Sequence, residues 1–408
     1  MKVLLVGLGT VGEAIARLSA GRPWLEQMVL ADDDIDRVRE IAAEIGDSTS
    51  HPSERIDASD AGAVEGLARQ YGVDLVMNAV DPRFVMPVFE GALAAGAHYM
   101  DMAISVSEPH PTEPYSTPGK LLGADMFAMD AAWQDSGRLA LVGQGISPGL
   151  VQVFAAHAAK HLFDEVHDIN IRAGGDLRIE GVPFATVFSI WTTIEECLNP
   201  ALVWEKERGY FTLPPFSEPE KFIFPEGVGP VECVHVEHED VVMIPRVLDA
   251  RRVTFKYALG EEFIGALKVL HAIGLDRTDP ITVDGQQVIP RNVVTALVPE
   301  PASLGDAMTG RAIVGTHVTG IKDGAPREIF SYQMCDAQEC MSRYGLQPVA
   351  FQTGFNPVVA MELIAEGVWQ GSGVRSVESF DPDPYLAILD RDGIHHATID
   401  IEPGTAVA

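Results

Sequence analysis

The chain reads as an α/β protein: a Rossmann-type doubly wound parallel sheet, then an α+β catalytic domain with a mixed, largely antiparallel sheet. Three observations predict this. A short apolar strand runs straight into Gly7-Leu-Gly-Thr-Val-Gly12. Apolar runs of strand length then alternate with helix-period segments through the first third of the chain, the grammar of parallel βαβ units. From about residue 165 onward the pattern changes to alternating strands joined by turns, which suits an antiparallel sheet.

Taken in order, Lys2–Val6, Met28–Ala31, Val73–Asn78, Ala97–Met102 and Leu139–Val142 have the length of buried parallel strands. Helical spacing predicts helices over Val11–Leu18, Ile35–Ile45, Ala61–Tyr71, Val85–Ala95 and Gly123–Asp135. Pro109, Pro111, Pro114 and Pro118 break the pattern over residues 105–119, a surface loop that acts as a lid only if it reaches a cleft. Ser147-Pro148-Gly149 then puts a serine N-cap before a proline at the first helical position, so Leu150–His161 is expected as a helix.

Beyond it, strands are expected at Val166–Ala173, Val231–His238, Arg252–Tyr257, Val283–Val288, Ala312–Ile321 and Arg327–Gln333. Helices are expected at Ser189–Cys197 and Glu261–Ile273, and a last one over Phe351–Glu366 stops at Gly367. These breaks divide the chain into a nucleotide-binding domain, 1–146, a substrate and dimerisation domain, 147–345, and a C-terminal segment, 346–408.

The opening glycines carry the sharpest signal. Gly7 permits the tight turn out of the strand, Gly9 lets backbone approach a pyrophosphate, and Gly12 lets the next helix pack closely on the sheet. Thr10 and Val11 open that helix, whose N–H groups point at the phosphates. Asp32 closes the second apolar run, 20 residues beyond Gly12, where a carboxylate meets the ribose hydroxyls of an adenine dinucleotide. Ala79, Val80, Asp81 and Met102 follow strand ends, so they fall beside the same cofactor. Lys2, the apolar run and the small residues near Ser19 imitate a secretory leader, but Glu13 and Arg17 interrupt it.

Charge bears on which dinucleotide. Asp32-Asp33-Asp34 would crowd a 2′-phosphate, and one like-charge contact at about 4 Å costs about 4 kcal/mol at an effective dielectric near 20. NAD is therefore expected, with NADP kept as the alternative by Arg37 and Arg39.

Composition narrows the rest. At 408 residues the chain suits two domains, and a hydrophobic content of 47% with 22% charged residues is that of a soluble globular protein. No apolar run reaches membrane-spanning length. A net charge of −30 repels nucleic acid and anionic membranes. Cys197, Cys233, Cys335 and Cys340 fit no zinc spacing and read as reduced thiols in a cytoplasmic protein.

The ordered motifs resemble the saccharopine dehydrogenase family, which includes lysine 6-dehydrogenase and carboxynorspermidine dehydrogenase. They are Gly7-Leu-Gly-Thr-Val-Gly12, Asp57-Ala-Ser-Asp60, Asn78-Ala-Val-Asp81-Pro82, Tyr99-Met-Asp101, Gly145-Ile-Ser-Pro-Gly149, Arg172-Ala-Gly-Gly175, Phe255-Lys-Tyr257 with Gly260, and Gln352-Thr-Gly354. The resemblance spans nearly the whole chain. It implies a C-terminal helix returning to the nucleotide domain, a homodimer, Asp57 as a further cofactor contact, and reversible hydride transfer between nicotinamide and a carbon bearing nitrogen.

Such chemistry needs a base for the amine proton. Asp101, at a strand end, and His235 and Glu237, on one face of the expected strand with His238 on the other, are the candidates. A structural cap is the competing role for Asp101, and a solvated strand face that for the His/Glu run. The His-x-Glu-His run lacks a further ligand cluster, so no metal is expected.

A substrate carboxylate is expected at the start of the Ser147-Pro148-Gly149 helix, near Gln144, with Arg172 or Arg246 as second choices. Fungal saccharopine reductases bring an arginine from the helix after the Gly-Gly strand, whereas this chain has Trp191-Thr-Thr-Ile-Glu-Glu-Cys197. Glu195 or Glu196 there suits a substrate ammonium, with a solvated helix face as the competing role. The expected substrate is a lysine-like amino acid or saccharopine, then a carboxynorspermidine-type polyamine. A nicotinamide-binding sensor without turnover is the reading from another class.

Overall fold

In the computed structural model, which describes residues 1–46, 49–182 and 184–407, Lys2–Val6 lies inside a seven-stranded sheet. The order is Gly373–Arg375, Leu139–Leu141, His98–Asp101, Leu75–Asn78, Lys2–Val6, Gln27–Asp32, Ser53–Arg55, and every pairing is parallel. Val3, Leu4, Leu5 and Val6 are fully buried, as strands covered on both faces must be. Strand order reverses beside Lys2–Val6, the crevice where doubly wound sheets bind ligands.

Local chemistry sets the helices around this sheet. Asp34 caps Ile35–Ile45 by accepting from the Asp36 and Arg37 N–H groups, and Asp60 caps Ala61–Tyr71 in the same way. The expected helix over Gly123–Asp135 is instead two short ones, Ala124–Ala128 and Asp130–Asp135. Phe89 packs 4.9 Å from both Tyr99 and Trp133, centroid to centroid, which closes the core on that side.

Helix Pro348–Ala365 also packs here. A Cβ placed on Gly354 would stand 2.8 Å from the Ala14 Cβ, so glycine lets this helix lie directly on Thr10–Ser19. Contacts group Met1–Glu108, Lys120–His157 and Ala350–His395 into this first unit.

The second unit holds Pro109–Gly119, Ala158–Val349 and the tail from His396. Its nine-stranded sheet runs Gly209–Leu213, Ala201–Glu205, Arg252–Tyr257, Glu165–Gly175, Arg311–Lys322, Ala325–Asp336, His396–Ile401, with Gly229–His235 joining Glu220–Phe224 to Arg252–Tyr257. Only the Arg252–Tyr257 pairing with Glu165–Gly175 is parallel. The sheet is therefore mixed and largely antiparallel. Phe222, Phe224 and Phe330 fill one of its cores.

Several local expectations change. The strand expected to reach His238 stops at His235, and Val283–Val288 is a hairpin of Ile281–Val283 and Gln286–Val288, turned by Asp284 and Gly285 in the left-handed region. The helix from Leu150 ends at His157 before a π turn over Ala158–Leu162. The last residues lie with the second unit, because His396–Ile401 pairs with Ala325–Asp336.

Candidate functional site

In the first unit the three glycines do three different things. Gly7 has φ +98°, and a Cβ there would stand 2.8 Å from the Ala79 carbonyl and Val80 Cγ1. On Gly12 it would run into the Gly7 carbonyl, whereas on Gly9 it would meet nothing within 4 Å. The chain thus closes tightly at Gly7 and Gly12 and leaves room over Gly9. Helix Thr10–Ser19 has no side-chain cap at Gly9, and the start of a helix favours an anion.

Asp32 is held at the neighbouring strand end. It accepts from Leu8 N–H at 2.6 Å and Asp34 N–H at 3.1 Å. Asp33 is pushed above the ordinary carboxylate range, chiefly by its hydrogen bond to Asp32, a sign of negative crowding. Asp57 follows Ser53–Arg55 and accepts from Ser59. Asp81 caps Pro82–Phe84 and pairs with Arg83 at 2.9 Å, while Met102 is half-buried just past His98–Asp101. Open backbone, an uncapped helix start and a fixed carboxylate fit an adenine dinucleotide, which supplies a hydride acceptor or donor when bound.

Asp101 is buried; it accepts from the Tyr99 hydroxyl at 2.8 Å and Gly143 N–H at 2.6 Å, and Tyr99 in turn accepts from Asn78. These bonds fit the capping role weighed for Asp101 beside that of a base. Gln144 is likewise buried, with its Nε2 donating to the Asn356 carbonyl at 3.2 Å and to the Tyr385 hydroxyl at 3.1 Å, so it joins the loop to the C-terminal helices.

The helix starts at Leu150, the first residue of the expected range, so Pro148 lies ahead of its first turn. Gly149, at φ +129°, folds back so that Gly145 N–H donates to the Pro148 carbonyl at 2.7 Å and the Gln152 side chain accepts from Gly149 N–H. Ser147 and Pro148 therefore belong to a closed loop ahead of the helix.

In the second unit the His/Glu run splits into two clusters. His235, fully buried at its strand end, donates from Nδ1 to the Phe255 carbonyl at 3.1 Å, and its Nε2 lies 3.2 Å from Glu218. Burial, with the Lys256 and Arg172 charges, pulls this imidazole down to about 4. It is neutral at pH 7. Beside it Arg172 donates to Glu220 at 2.6 Å and Lys256 donates to the other Glu220 oxygen at 2.6 Å. Burial opposes the Glu220 charge, but these two cations hold the carboxyl below its usual range. Arg172, expected on a substrate carboxylate, thus already holds one from its own chain. Phe216 and Glu218 adopt positive φ in the loop over this cluster, conformations that cost about 1–3 kcal/mol each.

The second cluster joins helix Ile190–Leu198 to the segment past His235. Glu237 and Glu195 share Asn199, whose Nδ2 donates to them at 3.0 and 3.1 Å. Glu195 is further paired with Arg291, which lies over the Trp191 ring at 4.7 Å. His238 is 3.0 Å from Asp240 and 3.5 Å from Glu239, and its ring stacks on Phe255 at 3.7 Å. Ligand atoms of Glu196, His238 and Glu239 lie within 4.8 Å of one another. Arg246 lies on the exposed last turn of Asp240–Val247.

Electrostatics single out Glu196. It is half-buried, yet desolvation pushes its carboxyl up to about 8, with Glu239, Glu237 and Asp240 adding to the effect. Burial would lower His238, but Asp240, Glu239 and Glu196 more than offset it and raise the imidazole to about 9. A protonated imidazole competes with a metal for the same ring. The carboxyl groups outnumber Arg291 and His238, so the cluster favours a cation.

Glu239 and Asp240 escaped the sequence reading because the strand was carried to His238, whereas Glu196 had been weighed with Glu195 as a partner for a substrate ammonium. An available signal was three acids directly ahead of the apolar run Val241–Ile244.

Known proteins place this geometry in a family. The profile of the saccharopine dehydrogenase NADP binding domain matches residues 3–141, and that of the saccharopine dehydrogenase C-terminal domain matches 145–394. A carboxyaminopropylagmatine dehydrogenase of Synechocystis is 30% identical over 96% of both chains. A carboxynorspermidine synthase of Vibrio alginolyticus is 30% identical over 100% of this chain and 99% of its own. Apo saccharopine dehydrogenase (L-Glu forming) from Saccharomyces cerevisiae shares the fold, with a TM-score of 0.68 at 14% identity over 98% of this chain and all of that one. With both profiles matched end to end on a glycine cradle built for a dinucleotide, the chain belongs to the saccharopine dehydrogenase family and is an NAD(P)-binding dehydrogenase.

Proposed function

We propose that the chain oxidises, and in reverse forms, the secondary-amine C–N bond of a carboxylated polyamine, with NAD favoured over NADP. The carrying observation is the excess of carboxyl groups around Glu196. Several ammonium groups on one substrate match it, whereas saccharopine brings three carboxylates of its own. The names of the relatives from Synechocystis and Vibrio point to the same substrate class.

In the oxidative direction the amine carbon loses a hydride to the nicotinamide and the nitrogen loses a proton. Water then adds to the resulting C=N bond, releasing an aldehyde and an amine. Glu196, titrating near 8, is the group in this cluster best matched to moving that proton; Glu237 and Glu239 hold the ammonium groups. His235 stays neutral, and Asp101 serves as a structural cap.

Lysine 6-dehydrogenation is the second reading, because a single ε-ammonium also suits the cluster. Homodimer formation is supported by Val269, Ile273, Ile281, Val283, Val293 and Leu297, all exposed within one stretch of the second unit. Four free thiols suit the cytoplasm. Among the described residues no helix is long and apolar enough to cross a membrane.

The test supplies carboxynorspermidine, carboxyaminopropylagmatine, lysine and saccharopine, each with NAD+ or NADP+, and follows reduced nicotinamide and products by mass spectrometry. Turnover of either polyamine is the expected result. Turnover of saccharopine alone overturns the substrate class, and cofactor binding without turnover of any of the four supports the sensor instead.

A further inference from the structure

We propose that Glu13 sets the dinucleotide preference by tethering Arg37 away from the corner formed by Asp32, Asp33 and Asp34. This rests on the reading that the chain favours NAD, and it names the residue responsible.

Arg37 is the third residue of helix Ile35–Ile45, and its own N–H donates to the Asp34 cap at 3.1 Å. Its backbone is thus one turn from Asp32, where an arginine can receive a 2′-phosphate. Its guanidinium is engaged elsewhere. It is paired with Glu13, in the first turn of Thr10–Ser19, and with Glu40 at 3.1 Å.

The two carboxylates are not equivalent. Glu13 is only 13% exposed and also accepts from Arg17 Nε at 2.8 Å, while Glu40 is 60% exposed. Exposed helix pairs hold little, so Glu13 is the effective tether. Arg17 is itself fixed by Glu44 as well as Glu13, which steadies the Glu13 carboxylate. Among the described residues Arg39 pairs with Asp36 alone, at 3.3 Å, both being mostly exposed.

With Arg37 held, an added phosphate would face the three aspartates without that guanidinium. The crowding already felt by Asp33 beside Asp32 shows how little further negative charge that corner accepts. Freeing Arg37 supplies the missing charge. Glutamine at position 13 keeps the shape and removes the ion pair.

The experiment measures dissociation constants for NADH and NADPH by nicotinamide fluorescence in wild type, E13Q, E13A, R37A, R39A and E13Q/R37A, with thermal melts to verify folding. Wild type should prefer NADH. Both E13Q and E13A should tighten NADPH about tenfold or more with NADH within about twofold; R39A should change neither, and E13Q/R37A should lose the gain. An unchanged NADH-to-NADPH ratio in folded E13Q and E13A, or a gain that survives R37A, overturns the role of Glu13 alone. A wild type that prefers NADPH overturns the NAD reading and the tether together.

Discussion

His238 lies flat on Phe255, with ring centroids 3.7 Å apart and planes at 16°, while its Nδ1 is 3.0 Å from Asp240. An imidazolium in this position gains from the ring face beneath it and the carboxylate at its edge. The proton it keeps to about 9 is thereby linked to folding. Because its folded value lies above its ordinary one, the stabilisation is complete below about pH 6.5 and disappears as pH rises through 9. The full effect is up to about 3 kcal/mol. Urea unfolding across pH 6 to 10 should show this decline, and H238Q should flatten it.

Glu196 acts in the same direction for a different reason. An acid raised to about 8 binds a proton in the fold that the unfolded chain releases, so stability falls between about pH 4.5 and 8 and then levels off. E196Q should remove that slope. In catalysis it should lower kcat/KM for the polyamine about tenfold or more and abolish the pH-rate limb near 8, which steady-state kinetics across pH would reveal.

The cradle glycines separate folding from binding. G12A pushes a methyl group into the Gly7 carbonyl and should cost about 1–3 kcal/mol of stability. G9A meets no neighbour and should melt within about 0.5 kcal/mol of wild type, yet bind NADH about tenfold or more weakly. Calorimetry with a parallel fluorescence titration distinguishes the two.

Glu220 is the anion between Arg172 and Lys256. E220Q leaves both cations facing each other and should destabilise the chain by about 3 kcal/mol or more. Since this carboxylate is held below its usual range, wild type should lose the same contribution only as pH falls through that lowered value. Denaturation of E220Q at neutral pH should therefore resemble part of the acid loss in wild type.

The nucleotide unit was legible because its signals are local. Three glycines fall within one turn, and a continuous apolar strand such as Lys2–Val6 has no wet face to confuse its period. The bond from Tyr99 to Asp101 was within reach too, since Tyr99 stands two residues earlier on the same strand face. The second unit is different. Arg172 meets Glu220 across 48 residues and His235 meets Phe255 across 20, and no periodicity announces such pairs. The strand limit at His235 was missed because Val236 continues the alternation, while burial of the acids behind it depends on Phe255 and helix Ile190–Leu198.

Neither unit is one continuous stretch of chain. Gly373–Arg375 supplies the outer strand of the nucleotide sheet and His396–Ile401 the outer strand of the other. On a translating ribosome both sheets therefore wait for nearly the last residues, and a nascent chain released after Val349 carries two unfinished edges rather than one finished half.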